Sequence, residues 1–148
     1  MSARAHAILL VEDNEDDILL IERAFRKANV ANPLVVARDG EEAVAYLSDL
    51  AANPVPELVL LDLRLPRKSG FEVLEWLRAQ PGLRRMPVVV LTSSGETPDI
   101  DRAYDLGANS YLVKPVGFEA LLNMVKVLGL YWLLLNRKPS LGKEEGQG

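Results

Sequence analysis

The sequence predicts an α/β protein with one doubly wound parallel sheet and helices on both of its faces. Two observations carry that expectation. Five short apolar runs rich in Val, Leu and Ile lie along the chain, and segments of helical period separate them in strict alternation. Short runs that are apolar throughout fit strands buried on both faces. Strand–helix alternation gives right-handed crossovers that place helices on either side of one sheet.

The elements follow in order. Ala7 to Val11 is the first strand, and Ile18, Ile21, Phe25 and Ala28 then recur at three- and four-residue steps, as one buried helical stripe requires. Leu34 to Ala37 is the second strand. Asp39 with Glu42 has the spacing of a capping box, and Val44, Leu47 and Leu50 form the next stripe. Leu58 to Leu61 is the third strand, followed by Ser69 with Glu72 at the same capping spacing and by Phe71, Leu74 and Leu77. After Val88 to Leu91, Thr97-Pro98 reads as an N-cap and a first-position proline, and Ile100, Ala103 and Tyr104 form the inward face. Leu106-Gly107 reads as a helix end closed by a left-handed glycine. Ser110 to Val113, between a Gly and a Pro, is the fifth strand, and an extended last helix starts at Phe118.

At 148 residues the chain suits one domain with a single core. We expect that domain over residues 5–136, with a polar, mobile tail over 137–148. There is no cysteine, which excludes disulfides and thiolate metal sites. The first six residues lack the apolar stretch of a secretory signal, and the apolar run Val127 to Leu135 is too short to span a bilayer. A cytoplasmic protein is the expectation. The net charge of -4 and the short, scattered basic pairs argue against a nucleic-acid surface.

Ligands of open parallel sheets bind beyond the carboxyl ends of the strands. There the sequence places Glu12-Asp13 after the first run, Asp62 after the third, Thr92 after the fourth and Lys114-Pro115 after the fifth. Each residue alone has an ordinary reading: acidic residues favour helix starts, and Thr92 or Lys114 could be plain surface. Their joint placement at four of five strand ends is what points to a site. If the first and third strands are neighbours, three carboxylates converge, and their repulsion calls for a cation. A hard ion such as magnesium fits carboxylate, water and phosphate oxygens.

These residues resemble the receiver-domain signature of two-component response regulators. The resemblance rests on Ile8-Leu9-Leu10-Val11-Glu12-Asp13, on Leu60-Leu61-Asp62-Leu63-Arg64-Leu65-Pro66 with Gly70, on Val90-Leu91-Thr92-Ser93, and on Gly107 through Pro115. It covers roughly residues 5 to 135. It implies a flavodoxin-like (βα)5 fold with strand order 2-1-3-4-5. It further implies that Asp62 is the phosphoacceptor, and that Glu12, Asp13, Asp62 and the backbone carbonyl of Arg64 hold Mg2+. By the same resemblance Thr92 is the switch hydroxyl, Lys114 pairs with the phosphoryl group, Tyr111 is the switch aromatic, and the Lys114–Pro115 peptide is cis. The implied phosphodonor is a sensor histidine kinase. Two positions depart from the commonest pattern: Glu12 stands where Asp is frequent, and Arg64 sets a long cation at the site mouth. Arg64 is either plain surface or a residue that tunes the lifetime of the phosphorylated state.

The last helix is apolar nearly all round. A stripe through Leu121, Leu122, Val125, Leu128 and Trp132 leaves Met124, Val127, Leu130, Tyr131, Leu134 and Leu135 outside it. Such a helix is covered on a second side, either by its own domain or by another copy. We expect a homodimer, with Tyr131, Trp132, Leu134 and Leu135 as its anchors. This pattern, with Asn32-Pro33-Leu34 and Arg38-Asp39-Gly40, is similar to single-domain regulators that partner phytochrome-type kinases, and it implies dimers through the later strand–helix units. No second domain is expected after the receiver, so output is expected through a protein-interaction surface or onward transfer of the phosphoryl group.

Three other readings fit these residues less well. A haloacid-dehalogenase-type phosphatase needs an acid two residues after its nucleophile, where this chain has Arg64. A flavin or nucleotide domain needs a glycine- or hydroxyl-rich phosphate loop after the first strand, and Val11 to Asp17 is acidic instead. A receiver-shaped module that is never phosphorylated is disfavoured by the joint presence of Asp62, Thr92 and Lys114. No phosphodonor histidine motif is present, and His6 reads as an incidental surface residue near the chain start.

Overall fold

Ala7–Val11 (β1), Leu34–Ala37 (β2), Pro56–Leu61 (β3), Val88–Thr92 (β4) and Ser110–Val113 (β5) form one sheet. All pairings are parallel, in the order β2-β1-β3-β4-β5. The helices are Glu15–Lys27 (α1), Gly40–Leu47 (α2), Gly70–Ala79 (α3), Thr97–Asp105 (α4) and Phe118–Leu128 (α5). The computed structural model describes residues 6–137 and 139–141, with the side chain of Leu135 outside that description. Residues 1–5, 138 and 142–148, which include most of the expected tail, lie outside it.

Successive strand residues point to opposite faces, so each strand feeds two cores. Leu9, Val11, Val59, Leu61, Val88 and Val90 pack with Ala43 and Leu47 of α2, with Phe71, Leu74 and Leu77 of α3, and with Ala103 of α4. Ile8, Leu10, Leu58, Leu60, Val89 and Leu91 pack on the other face with Ile18, Ile21 and Phe25 of α1 and Leu121, Leu122 and Val125 of α5. The helix stripes expected for α1 and α3 are the ones buried. α2 ends at Leu47, so Leu50 falls beyond it, and Ala43 takes the inward position beside Leu47.

The helix starts separate real caps from apparent ones. Ser69 and Glu72 form a full capping box, with bonds of 3.2 and 2.8 Å. Asp39 accepts from the Glu42 amide at 2.8 Å, but the Glu42 carboxylate turns to the Arg38 amide, so that box is not reciprocal. Thr97 is the first residue of α4, not its cap; Glu96 precedes it without a side-chain bond. Tyr104 is 47% exposed, because α4 leans on β5 and α3 and buries only Ala103. Gly107 closes α4 at φ +107°, the left-handed conformation expected there.

Beyond α5 the helix continues over Gly129–Leu135 in a wider π-type winding, closed by the Asn136 amide donating to the Tyr131 carbonyl at 2.6 Å. Trp132 and Leu133 pack against the α1–α5 core, while Val127, Leu130, Tyr131 and Leu134 face outward. Arg85 donates to the Ser140 carbonyl at 3.0 Å, and Leu141 packs on the α2–α3 core.

Gly70 is needed where α3 meets the end of β3. A Cβ there would stand 2.1 Å from the Asp62 carbonyl oxygen and 2.7 Å from the Leu63 Cα. Gly70→Ala is therefore expected to destabilise the fold by about 1–3 kcal/mol through overpacking. A lowered midpoint in urea denaturation checks this, and an unchanged midpoint would show that the loop yields freely.

Candidate functional site

The last ladder bonds of the sheet hold the site backbone. The Asp62 amide donates to the Val11 carbonyl at 3.0 Å, Glu12 to Ala37 at 2.9 Å and Lys114 to Thr92 at 2.7 Å. Three of the four strand pairs thus end in side chains that carry charge. Ligand oxygens of Glu12, Asp13 and Asp62 lie within 4.8 Å of one another, with Glu12 and Asp62 buried and Asp13 exposed. Three hard oxygen donors so close, with one open to solvent, fit a divalent cation such as Mg2+ or Mn2+.

Lys114 lies among them. Its Nζ stands 2.7 Å from Glu12 Oε1, 2.8 Å from Asp17 Oδ2 and 3.1 Å from Asp62 Oδ2. Burial works to lower the Lys114 pKa, but its bonds to Asp17 and Glu12 and the charge of Asp62 outweigh that, so the ammonium is held above its usual range. Burial also raises Glu12, to about 7; its bond to Lys114 opposes the rise and the Asp62 charge adds to it. Asp62 Oδ1 accepts from the Leu63 amide at 2.7 Å, which leaves Oδ2 turned to Lys114.

Thr92 ends β4 at the same edge. It is fully buried, and its Oγ1 has no hydrogen-bond partner among the described residues. A buried hydroxyl left unpaired costs about 1–3 kcal/mol, which is a reason to look for an acceptor that binds there. Tyr111 on β5 donates its hydroxyl to the Ser94 carbonyl at 2.8 Å and packs half-buried on the α2–α3 core.

The peptide between Lys114 and Pro115 is trans, which corrects the expected cis bond. Trans is favoured before proline by about 0.5–1 kcal/mol. The Lys114 side chain reaches its three carboxylates from the trans backbone.

Several contacts were not foreseen. Arg64 reaches Asp99 at 2.7 Å, and Ser94 Oγ donates to the same carboxylate oxygen at 2.6 Å. The residue two places after Asp62 is thus tied to α4, and no second acid stands there to serve a phosphatase. Arg67 adopts φ +65° and binds Asp39 at 2.8 Å. The backbone bond from Glu42 and the Arg67 guanidinium hold Asp39 below the usual carboxylate range. In the sequence Asp17 is one more acid in the run Glu12 to Asp17. Its place three residues after the capping Asn14, on the first turn of α1, was the available signal. His6, expected as incidental surface, stands 3.2 Å from Glu57.

Comparison with known proteins gives a consistent result. Residues 8–126 match the family model of the response regulator receiver domain. FilR2 of Methanothrix harundinacea, a probable methanogenesis regulatory protein, is 45% identical over 134 residues, 89% of this chain and 86% of that protein. Response regulator Rcp1 of Synechocystis is 40% identical over 129 residues, 85% of this chain and 88% of its own length. The Mn2+-bound crystal structure of Rcp1 superposes with a TM-score of 0.83 at 38% identity, covering 91% of this chain and 99% of that one. The phosphorylated cyanobacterial phytochrome response regulator RcpA gives a TM-score of 0.86 at 42% identity, covering 93% and 100%. The bacteriophytochrome response regulator AtBRR gives 0.72 at 44% identity, covering 91% and 100%.

The raised Glu12 pKa has a definite sign. Between about 4.5 and about 7 the folded, metal-free protein binds a proton at Glu12 more readily than the unfolded chain does. Its contribution to stability is therefore full below 4.5 and is lost as pH rises through 7. Thermal unfolding in chelator from pH 4.5 to 8 is expected to show a smaller fall in Tm for Glu12→Gln than for the unmodified protein. Parallel curves for the two would contradict the assignment.

Proposed function

The chain belongs to the response regulator receiver family, and we propose that it is the phosphoacceptor of a two-component phosphorelay, charged at Asp62 by a sensor histidine kinase. The observation that carries this reading is the set of three carboxylates at the sheet edge with Lys114 bonded to two of them. As a receiver it is a phosphoacceptor, not a classical enzyme. Asp62 Oδ2 attacks the phosphorus of a phosphohistidine. The P–N bond breaks with its electron pair left on the imidazole nitrogen, which takes a proton, and an acyl phosphate forms on Asp62.

Glu12, Asp13 and Asp62, with the Arg64 backbone carbonyl, would hold Mg2+. Bound there, it offsets the repulsion of the carboxylates and the charge on the phosphoryl oxygens. Lys114 supplies a second positive charge to those oxygens. The Thr92 hydroxyl donates to one of them and so gains the acceptor it lacks. Tyr111 follows: movement of the segment after Thr92 displaces the Ser94 carbonyl that holds its hydroxyl, and the surface of α4 and β5 changes. Arg64, anchored to Asp99, sets how readily that segment moves and how long the phosphoryl group lasts.

The partner surface is read from the end of the chain. Val127, Leu130, Tyr131 and Leu134 are exposed. Leu112, Met124, Leu128 and Trp132 line the adjoining apolar groove of about 470 Å³. We take this as a homodimer face built on β5, α5 and the π-helical segment, with Tyr131, Trp132 and Leu134 as anchors; the expected anchor Leu135 lies outside the described side chains. The kinase is proposed to be of the phytochrome type, from the likeness to RcpA and AtBRR. No helix among the described residues is long and apolar enough to cross a membrane, and we propose a cytoplasmic location with no nucleic-acid partner.

Intact mass after incubation with acetyl phosphate and Mg2+ tests the central reading. One added phosphoryl group is expected on the unmodified protein, and none without Mg2+ or in Asp62→Asn. An adduct that persists in Asp62→Asn would place the acceptor elsewhere. For the dimer, light scattering over a concentration series is expected to show two copies for the unmodified chain and one for Tyr131→Glu/Leu134→Glu. A monomer at every concentration before mutation would remove the dimer.

A further inference from the structure

An ammonium group has three N–H donors, and each Lys114 donor faces a carboxylate. Two of those carboxylates, Glu12 and Asp62, belong to the cation cluster, at 2.7 and 3.1 Å. The third, Asp17 at 2.8 Å, does not. Whatever cation enters the cluster competes with Lys114 for Glu12 and Asp62. A second positive charge beside it then needs an acceptor that the cation does not use.

Asp17 is placed for that task. It stands on the first turn of α1, where Asn14 caps the helix by accepting the Asp17 amide at 2.9 Å. The cap therefore fixes the backbone from which the Asp17 carboxylate reaches across to the end of β5. The Asp17 side chain is 35% exposed and that of Lys114 only 14%, so the pair sits at the mouth of the site. Asp17, Lys114 and Pro115 line the same small cavity there.

We propose that Asp17 is a positioning residue: it retains the Lys114 ammonium at the mouth of the site when a divalent cation takes over Glu12 and Asp62. This rests on the reading of the cluster as a cation centre. Asp17 touches neither the cation nor the phosphoryl group and acts through Lys114. Without it, Lys114 falls back on the two shared carboxylates and opposes the cation. A lysine left at the mouth is also ready for the phosphoryl oxygens once Asp62 is charged. The competing account is that Asp17 merely complements the positive end of α1, as an acid in a first helical turn does.

Mn2+ titration of the full chain, followed by electron paramagnetic resonance, separates the two. Asp17→Asn is expected to weaken Mn2+ binding about fivefold, the scale of a partly exposed ion pair. Lys114→Ala is expected to strengthen binding, and adding Asp17→Asn to it should change affinity less than twofold. Asp16→Asn, an exposed acid on the same turn, should leave affinity within twofold. An equal loss from Asp17→Asn with and without Lys114, or no loss with it, overturns the proposal. Failure of the unmodified protein to bind Mn2+ overturns the cation reading beneath it as well. Should Lys114→Ala unfold, solvent exchange of the Lys114 ammonium protons in saturating Mg2+ decides by NMR. Faster exchange in Asp17→Asn than in the unmodified chain is expected, and equal exchange refutes the role.

Discussion

Three carboxylates kept within 4.8 Å of one another repel, and the arrangement of this protein follows from holding them there. The restraint is supplied by the backbone. The Glu12 and Asp62 amides donate the last bonds of two neighbouring parallel ladders, so neither residue can retreat without breaking the sheet edge. Gly70 brings the start of α3 hard against the Asp62 carbonyl and closes the other exit. Lys114 then offsets the charge without removing it: burial, with the Asp62 charge added, still raises Glu12 to about 7. A site that stores repulsion in this way is primed for cations and for a group that brings new hydrogen-bond acceptors.

The loops around the site are not independent of it. From Asp62 the chain passes to Arg64, whose guanidinium reaches Asp99 on α4; Asp99 also takes the Ser94 hydroxyl, and the Ser94 carbonyl takes Tyr111. One line of polar contacts thus joins the end of β3 to the start of α4 and to β5. A few residues further on, Arg67 holds a left-handed conformation that costs roughly 1–2 kcal/mol for a residue with a Cβ. Its bond to Asp39 ties the same loop to the start of α2, where Gly40 leaves no room for a side chain beside the Lys68 carbonyl. The segment after Asp62 is anchored at both of its flanks.

What the sequence revealed depended on the kind of rule involved. A strand buried along its whole length is written as an unbroken apolar run, so β1 was legible to the residue, as were the shorter edge strands β2 and β5, and the site followed because strand ends in a parallel sheet converge. Asp17 was not legible, because an acid in a first helical turn has an ordinary explanation that hides a tertiary one. The Arg64–Asp99 pair links residues far apart in the chain, and no local pattern encodes it. Tyr104 fitted the period of α4 yet is 47% exposed, because period alone does not say how much of a helix its neighbours cover. The change to π winding after Leu128 is a change of hydrogen-bond partner, which an apolar pattern cannot distinguish from a continued α-helix.

Thr92 adds a constraint on how such a chain drifts over generations. Valine has nearly the same shape, suits a buried strand, and would relieve an unpaired hydroxyl. On the proposed function, a Thr92→Val chain would fold better and respond less, so selection on signalling would oppose that change. A lineage released from that selection would be expected to gain stability here before it lost its fold. In such descendants the hydroxyl would be an early casualty, since it contributes nothing to the fold that a methyl would not.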